Sequence, residues 1–150
     1  MASSLVKIDI HLVFHVKSTG IPMRKEDLPR IFQYIGGVIK GMDSIPIVVG
    51  GIEDHIHKLA SLPKTMSLTD FVRNIKSNSS KWIKTLDCYY VPFCWQDGYG
   101  AFSVSPSLLD KTINYIRKQE EHHRKRSFHD EYKSFLERYN ISYDEKYAFG

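Results

Sequence analysis

Residues 5–17 alternate between apolar and polar side chains, and this alternation determines the first element of the fold. Successive side chains of a strand point to opposite faces, so a period of two predicts a strand that buries one face and leaves the other polar. His11 and His15 fall on the polar side, where we interpret them as structural or groove-lining residues and not as metal ligands. The predicted buried side consists of Ile8, Ile10, Leu12, Phe14 and Val16.

A helix and a hairpin follow the first strand. Apolar residues recur at helical spacing over residues 25–40, which predicts a crossover helix. Residues 45–49 and 52–62 have the composition of strands, and the glycine pair Gly50-Gly51 between them predicts a tight turn.

A second helix and further strands come next. Ser67 and Asp70 stand at a spacing like that of a capping box and predict the start of a helix. Residues 93–95 and 101–104 are predicted to form short strands around the segment 97–100, whose glycines let the chain turn or hinge.

C-terminal helices complete the pattern. Ser105 and Pro106 suit the cap and first positions of a third helix, and a final helix is predicted over residues 128–139. The order strand, helix, strand, strand, helix, strand is typical of the split βαβ arrangement. We therefore predict an α+β, ferredoxin-like fold, with an antiparallel sheet that carries helices on one face, additional C-terminal helices, and a single domain over residues 1–150.

The composition is that of an ordinary globular protein. Of the 150 residues, 42% are hydrophobic and 25% are charged, which argues against disorder. Lys and Arg outnumber Asp and Glu by 21 to 17, an excess that is compatible with a polyanionic partner without requiring one. No apolar run is long enough to span a bilayer, and the 2 cysteines are too few for a disulfide framework, so a cytoplasmic location is predicted.

His55 and His57 form a candidate metal pair. Because they lie two residues apart in a predicted strand, their side chains emerge on the same face, with Cα atoms about 6.6 Å apart. Histidine is the commonest transition-metal ligand, whereas Mg²⁺ and Mn²⁺ prefer oxygen, so the pair needs an oxygen donor beside it. Gln119 is the candidate for that donor.

Tyr115 is the candidate nucleophile. A tyrosine hydroxyl, with a pKa of about 10, is a poor nucleophile until it stands beside a metal-bound phosphate. Gln119 follows Tyr115 by one helical turn, about 6 Å along the axis, so a ligand on the same helix would align the nucleophile with the metal.

Three motifs, taken together, resemble one known family. They are Asp54-His55-Ile56-His57 followed by Ser61-Leu62-Pro63, then Trp95-Gln96-Asp97-Gly98-Tyr99-Gly100-Ala101-Phe102-Ser103-Val104, then Tyr115-Ile116-x-x-Gln119-x-x-His122-His123. Through these motifs the chain resembles the single-tyrosine HUH transposases, the small TnpA-like and REP-associated enzymes that move single-stranded DNA. The resemblance extends from the first strand to the tail at residues 141–147.

This resemblance implies a metal-dependent endonuclease and strand transferase that acts on single-stranded DNA. His55 and His57 would bind Mg²⁺ or Mn²⁺ with Gln119, and Tyr115 would attack the scissile phosphate to give a 5′-phosphotyrosine link and a free 3′-hydroxyl. The implied partners are DNA with hairpin ends and a second copy of the chain, whose tyrosine helix would complete the site. No membrane or small-molecule substrate is expected.

Basic residues beside these motifs are the predicted DNA contacts, because phosphates attract Lys and Arg. His122 and His123 are interpreted as helix-surface or DNA-facing residues. Lys58 departs from the family pattern, which has an apolar residue there, and is predicted to be exposed or to contact DNA. The predicted DNA-binding residues are Arg73, Lys76, Lys81, Lys84, Arg117, Lys118 and Arg124.

Other functions are less compatible with the residues. A histidine-triad hydrolase requires a third histidine where this chain has Leu59, and the spacing of a His-Glu-x-x-His zinc hydrolase is absent from the sequence. A non-catalytic ferredoxin-like nucleic-acid-binding domain, or a domesticated transposase relative, is the alternative from a different class.

Overall fold

A computed structural model describes residues 3–144 and contains one antiparallel sheet of 4 strands. The spatial order of the strands is β2-β3-β1-β4, which is the split βαβ order predicted from the sequence. The tail at residues 145–150 lies outside the described residues. The strands are β1 (Asp9–His15), β2 (Pro46–Ile52), β3 (His55–Ser61) and β4 (Gly100–Val104).

Two long helices cover one face of the sheet. Helix α1 (Leu28–Gly41) follows β1, and helix α2 (Leu68–Ile83) follows β3. Ser67 caps α2 as predicted, because its side chain accepts a hydrogen bond from the backbone N–H of Asp70. The main core lies between these helices and the apolar side of β1, and it includes Leu12, Phe14, Ile31, Ile35, Ile56, Phe71 and Ile75.

Three C-terminal helices cover the other face. They are α3 (Leu109–Arg117), α4 (Gln119–His123) and α5 (Phe128–Arg138). As a result β1 is buried on both faces, and His11 and Val13 on its second side are only 3% and 1% exposed. The prediction of a strand with one polar face was therefore wrong, because the alternation could not show that later helices return to cover that face.

The glycine pair of the hairpin has a different role from the predicted one. Gly50 and Gly51 lie inside β2, and the turn is formed by Glu53 and Asp54. A Cβ atom at Gly50 would lie 2.7 Å from the backbone oxygen of Ile116 in α3. Gly50 thus allows α3 to pack directly against the strand.

This close approach predicts that Gly50→Ala destabilises the fold. The added methyl group must push against a backbone atom, and overpacking of this kind costs about 1–3 kcal/mol. Gly37→Ala in α1 is the matched control, because nothing lies within 4 Å of a Cβ there. It should be neutral or stabilising by up to about 1 kcal/mol, as alanine is the better helix former. Urea unfolding compares the two, and equal effects would contradict this packing role.

Two further elements differ from their predictions. Residues 93–95 form no strand, and only an isolated bridge joins Trp95 to Val16. Ser105 stands at the N-cap of a short 3-10 turn, Pro106–Leu108, which precedes α3, but its side chain makes no capping hydrogen bond.

Lys58 is buried and not exposed as predicted. Its side chain lies between Ile56 and Ala60 on the α1/α2 side of β3 and has 0% exposure. The ammonium group donates a hydrogen bond to the Ile56 carbonyl at 2.8 Å and stands 3.1 Å from the centre of the Phe14 ring. Burial, followed by repulsion from Lys76, lowers the pKa of Lys58 well below its ordinary value of 10.5.

The lowered pKa predicts that Lys58→Met stabilises the protein at neutral pH. The unfolded chain binds a proton at Lys58 more tightly than the folded one, so this lysine destabilises the fold below pH 10.5. Removing a poorly compensated buried polar group should raise the free energy of unfolding by about 1–3 kcal/mol at pH 7.

The gain should shrink as the pH rises from the folded-state pKa of Lys58 towards 10.5. Lys81→Met on the exposed side of α2 is the control and should stay within about 0.5 kcal/mol. Chemical denaturation of both variants at several pH values measures the difference. A loss of stability in Lys58→Met at pH 7 would show that the ammonium group is well compensated.

Candidate active site

On the second face of the sheet, candidate site residues that are far apart in the sequence come together. His55 and His57 project from β3, Tyr115 comes from α3, and Gln119 is the first residue of α4. Glu131 reaches them from α5 and is 2% exposed. All five side chains meet within one chain, under the cover of the C-terminal helices.

The two imidazoles point their Nε2 atoms at the same carboxylate. His57 Nε2 lies 3.0 Å and His55 Nε2 lies 3.3 Å from Oε1 of Glu131. Each ring is also fixed from behind through Nδ1, by Asp54 at 2.7 Å for His55 and by His11 at 2.7 Å for His57. The Nε2 atoms are therefore the ones available to a common ligand.

Gln119 completes the cluster on the side of His55. Its Oε1 accepts hydrogen bonds from His55 Nε2 and from His123 Nε2, each at 3.0 Å. Its Nε2 donates to Glu131 Oε2 at 3.2 Å. The helix that carries Tyr115 is interrupted at Lys118, yet the amide still faces the histidines. His123 belongs to this cluster and is not the surface residue predicted.

Tyr115 lies next to the cluster with its hydroxyl on the carboxylate. The hydroxyl donates a short hydrogen bond to Glu131 Oε2. Burial and the negative charge of Glu131 raise the pKa of Tyr115 far above its usual value of 10.0. The hydroxyl is therefore protonated in this arrangement.

The ionisable side chains of the cluster differ in the direction of their pKa shifts. Burial lowers the pKa of His57 to about 4, so this ring is neutral at pH 7. Burial opposes the ionisation of Glu131 too, but hydrogen bonds from His123, His55 and His57 hold its pKa far below the ordinary range. For His55, burial is outweighed by hydrogen bonds to Asp54 and Glu131, which raise its pKa.

This donor set suits a metal ion. Two imidazole nitrogens and one carboxylate oxygen, from His55, His57 and Glu131, lie within 4.8 Å of one another. Two histidines and one carboxylate on one side of a site form a known arrangement for divalent first-row metals. The Gln119 oxygen, which was the predicted third donor, stands beside them.

Glu131 is the residue that the sequence analysis missed. The apolar stripe of α5 contains Phe128, Tyr132, Phe135 and Leu136, and Glu131 lies on this stripe at helical spacing from Phe128 and Phe135. A carboxylate in an apolar stripe is costly unless it is paired. That local conflict was the available signal that Glu131 has a special role.

The predicted DNA-binding residues fall into two groups. Helix α2 packs on the face opposite the cluster, so its basic residues are not brought to Tyr115. Arg73 pairs with Asp70, and the Lys76 ammonium donates to the carbonyls of Gln96 and Gly98, which ties α2 to the loop before β4. Lys81 and Lys84 are exposed.

The second group lies near the tyrosine. Arg117 and Lys118 are exposed at the junction of α3 and α4, and Arg124 is exposed just after α4, 3.9 Å from Glu120. These three residues are close to Tyr115 in the sequence, but the basic residues of the cleft that Tyr115 lines are Lys111, Arg126 and Arg138.

One family model matches most of the chain. Residues 4–119, well over half of the chain, match the family model described as IS200-like transposase. The chain belongs to the IS200-like transposase family. The matched region contains His55, His57, Tyr115 and Gln119, whereas Glu131 lies beyond it. The resemblance to tyrosine transposases seen in the sequence is thereby confirmed, and the chain is a transposase by family.

Solved structures show the same fold as this IS200-like transposase. A Deinococcus radiodurans R1 protein assigned as a transposase superposes with a TM-score of 0.61 at 16% identity, over 79% of this chain and 95% of that one. A REP-associated tyrosine transposase bound to a REP hairpin superposes with a TM-score of 0.57 at 12% identity, over 82% of this chain and 73% of that one. These similarities confirm the α+β fold.

No curated protein shows significant similarity to this IS200-like transposase. Within residues 3–144, no helix combines the length and the apolar character needed to cross a membrane.

Proposed function

We propose that this transposase is a divalent-metal-dependent endonuclease and strand transferase for single-stranded DNA, with Tyr115 as its nucleophile. The observation behind this proposal is the convergence of one tyrosine hydroxyl, two imidazoles, one carboxamide and one carboxylate within a single chain. In a transposase-family protein, such a cluster matches the needs of phosphodiester cleavage better than those of a binding surface.

His55, His57 and Glu131 are the proposed ligands of Mg²⁺ or Mn²⁺, with Gln119 as a further oxygen donor. When bound, such an ion supplies positive charge that polarises a phosphate and orients it for in-line attack. The chain itself contributes the positions of its donors. Asp54 and His11 fix the rings, and the network around Glu131 fixes the carboxylate.

Tyr115 attacks the scissile phosphorus through its hydroxyl oxygen. The new bond is the phosphotyrosine P–O bond, and the phenolic proton passes to water. The broken bond is the one to the 3′ oxygen, and that oxygen leaves as a 3′-hydroxyl after taking a proton from water. Another 3′-hydroxyl reverses the step and joins strands without ATP, because the phosphotyrosine conserves the bond energy.

The Tyr115 hydroxyl is held unreactive until the negative charge of Glu131 is offset. Glu131 Oε2 accepts a hydrogen bond from the Tyr115 hydroxyl, and burial together with the negative charge of Glu131 raises the pKa of Tyr115. Positive charge at the imidazole pair would lower the pKa again and free the oxygen for attack. The site therefore couples the activation of the nucleophile to occupation of the donor cluster.

DNA with hairpin ends is the proposed substrate. One structural relative binds a REP hairpin, and this chain carries basic residues on both sides of its sheet. Arg117, Lys118 and Arg124 are proposed to hold the strand next to Tyr115. A more distant part of the DNA would contact Arg73 and Lys81 on α2 and Lys84 just after it, with Lys76 acting mainly on the loop before β4.

A homodimer is proposed to supply two sites, because transposition requires two ends to be cut. The donors and Tyr115 already meet within one chain, so each subunit of this dimer would hold a complete site in cis. Gly100 is the first residue of β4, which pairs with β1, so the glycines of residues 97–100 do not by themselves free the tyrosine helix that follows β4.

An adduct assay tests the proposed reaction. The protein is mixed with labelled single-stranded hairpin DNA and Mn²⁺ or Mg²⁺, and a covalent product is sought that survives denaturation. We expect the product with either ion, none with a chelator, and none with a fully paired duplex of the same sequence. DNA binding without any adduct over a range of hairpins and both ions would support the non-catalytic alternative.

Glu131→Gln is predicted to weaken metal binding while leaving the fold intact. The amide keeps the size of the side chain but loses the negative charge that faces both imidazoles. The affinity for Mn²⁺ should fall by more than the roughly 10–100-fold that follows loss of an outer-shell partner. Glu137→Gln, exposed on the same helix, is the control. Equal Mn²⁺ affinity of the two variants, measured by calorimetry, would exclude Glu131 as a ligand.

A further inference from the structure

His11 is a buried histidine that fixes the His57 ring without being a proposed ligand of the metal or a reacting group. It lies on β1 and is 3% exposed, and its Nε2 atom stands 2.7 Å from Nδ1 of His57. In the strand register Val13 pairs with His57, so His11 reaches its partner diagonally across the sheet. The alternation of β1 predicted that His11 lies on this face, but it did not indicate why the residue is a histidine.

The aromatic rings around His11 restrict its orientation. Phe135, Phe102 and Tyr115 lie with their ring centres at 5.1, 6.2 and 6.3 Å from the His11 ring. Because these neighbours hold the ring on several sides, its Nε2 remains directed at His57. His11 thus resembles Asp54, which fixes the Nδ1 atom of His55.

The hydrogen bonds define the protons in the present arrangement. The ionised Glu131 carboxylate can only accept, so His57 donates from Nε2 to Oε1 at 3.0 Å. A neutral His57 then has an unprotonated Nδ1, which accepts a hydrogen bond from His11 Nε2.

Metal ligation demands the opposite tautomer. To coordinate a cation through Nε2, His57 must carry its single proton on Nδ1, where it becomes a donor. His11 must then accept through Nε2. A neutral His11 ring can donate this hydrogen bond when the metal is absent and accept it when the metal is bound, because its proton can move to the other ring nitrogen. An apolar side chain can do neither.

We infer that His11 is a positioning residue that holds His57 and exchanges the direction of their hydrogen bond when the metal site is filled. The inference rests on the proposed metal site and adds a residue from β1 to it. Its consequence is that the strength of metal binding depends on a side chain that touches neither the ion nor the DNA.

Variants at position 11 separate the hydrogen bond from the packing. His11→Phe fits the aromatic surroundings but offers no partner to His57. His11→Gln can donate or accept by turning its amide. We expect Mn²⁺ affinity to fall about 10–100-fold in His11→Phe and to stay within a few-fold of wild type in His11→Gln. His11→Met replaces His11→Phe in the comparison if circular dichroism shows that the phenylalanine variant is unfolded.

His15→Phe is the matched control on the same strand face. Among the described residues, its Nε2 is buried without a hydrogen-bond partner, so its removal should leave Mn²⁺ affinity unchanged. A positioning role also predicts that His11→Phe recovers most of its adduct yield at saturating Mn²⁺. Low yield that persists at saturation would instead assign His11 a direct part in the reaction and overturn the inference.

The outcomes distinguish this inference from the proposed function. Wild-type Mn²⁺ affinity in a folded His11→Phe protein, or equal losses in His11→Phe and His11→Gln, would refute the role of His11. Unchanged Mn²⁺ affinity in His57→Ala would instead refute the metal site itself. Loss of binding in His57→Ala with no loss in His11→Phe would leave the proposed function in place and remove only His11.

Discussion

Tyr115→Phe should abolish the covalent DNA adduct while leaving Mn²⁺ binding in place. The phenylalanine ring keeps the packing of α3 against β2 but lacks the oxygen that attacks phosphorus. Because a missing nucleophile has no substitute in the cluster, we expect the adduct yield to fall at least about 10³-fold. The yield is measured by denaturing electrophoresis of labelled hairpin DNA.

Tyr89→Phe is the matched control for this variant. The Tyr89 hydroxyl donates to the Pro22 carbonyl, remote from the cluster, so the adduct yield of this variant should equal that of wild type. A stable adduct in Tyr115→Phe would place the nucleophile elsewhere. Loss of Mn²⁺ binding in the same protein would show that the hydroxyl acts on the site rather than on the phosphate.

His57→Ala should remove both metal binding and cleavage. His57 is fully buried, and its Nε2 faces Glu131, so its loss takes away one donor of the set and leaves His11 without its partner. We expect Mn²⁺ affinity to drop by more than the roughly 10–100-fold of an outer-shell change, and the adduct yield to fall with it. Calorimetry and the adduct assay on the same preparation measure the two effects.

His129→Ala is the control that tests whether the loss of any histidine lowers Mn²⁺ affinity and adduct yield. The His129 ring is 48% exposed on α5 beside Asp130, and it is not one of the proposed ligands. Its replacement should change neither Mn²⁺ affinity nor adduct yield. Cleavage by His57→Ala at the wild-type rate would mean that the reaction does not depend on this imidazole.

The parts of the site that were predictable depend on short-range spacing. His55 and His57 share a face because they are two residues apart on a strand, and Gln119 follows Tyr115 by one helical turn. These relations are local, so they can be read without a structure. The element order predicted the sheet topology for the same reason, since each step is a local pattern.

The parts that were not predictable depend on long-range packing. Glu131 and His11 reach His57 from 74 and 46 residues away in the sequence. Nothing local shows that α5 returns to cover the second face of β1. Gly50 was interpreted as a turn residue because a glycine pair is a common turn signal, whereas its actual role is to admit the backbone of α3. Each error came from a neighbour that the local pattern could not reveal.

The nucleotide-bearing residue of the trapped adduct provides the decisive measurement. The adduct formed with hairpin DNA and Mn²⁺ is digested with nuclease and protease, and the modified peptide is sequenced by tandem mass spectrometry. We predict a 5′-linked nucleotide on the oxygen of Tyr115. We also predict that the adduct does not form when His57 is replaced by alanine. A nucleotide on any other residue would contradict the proposed reaction.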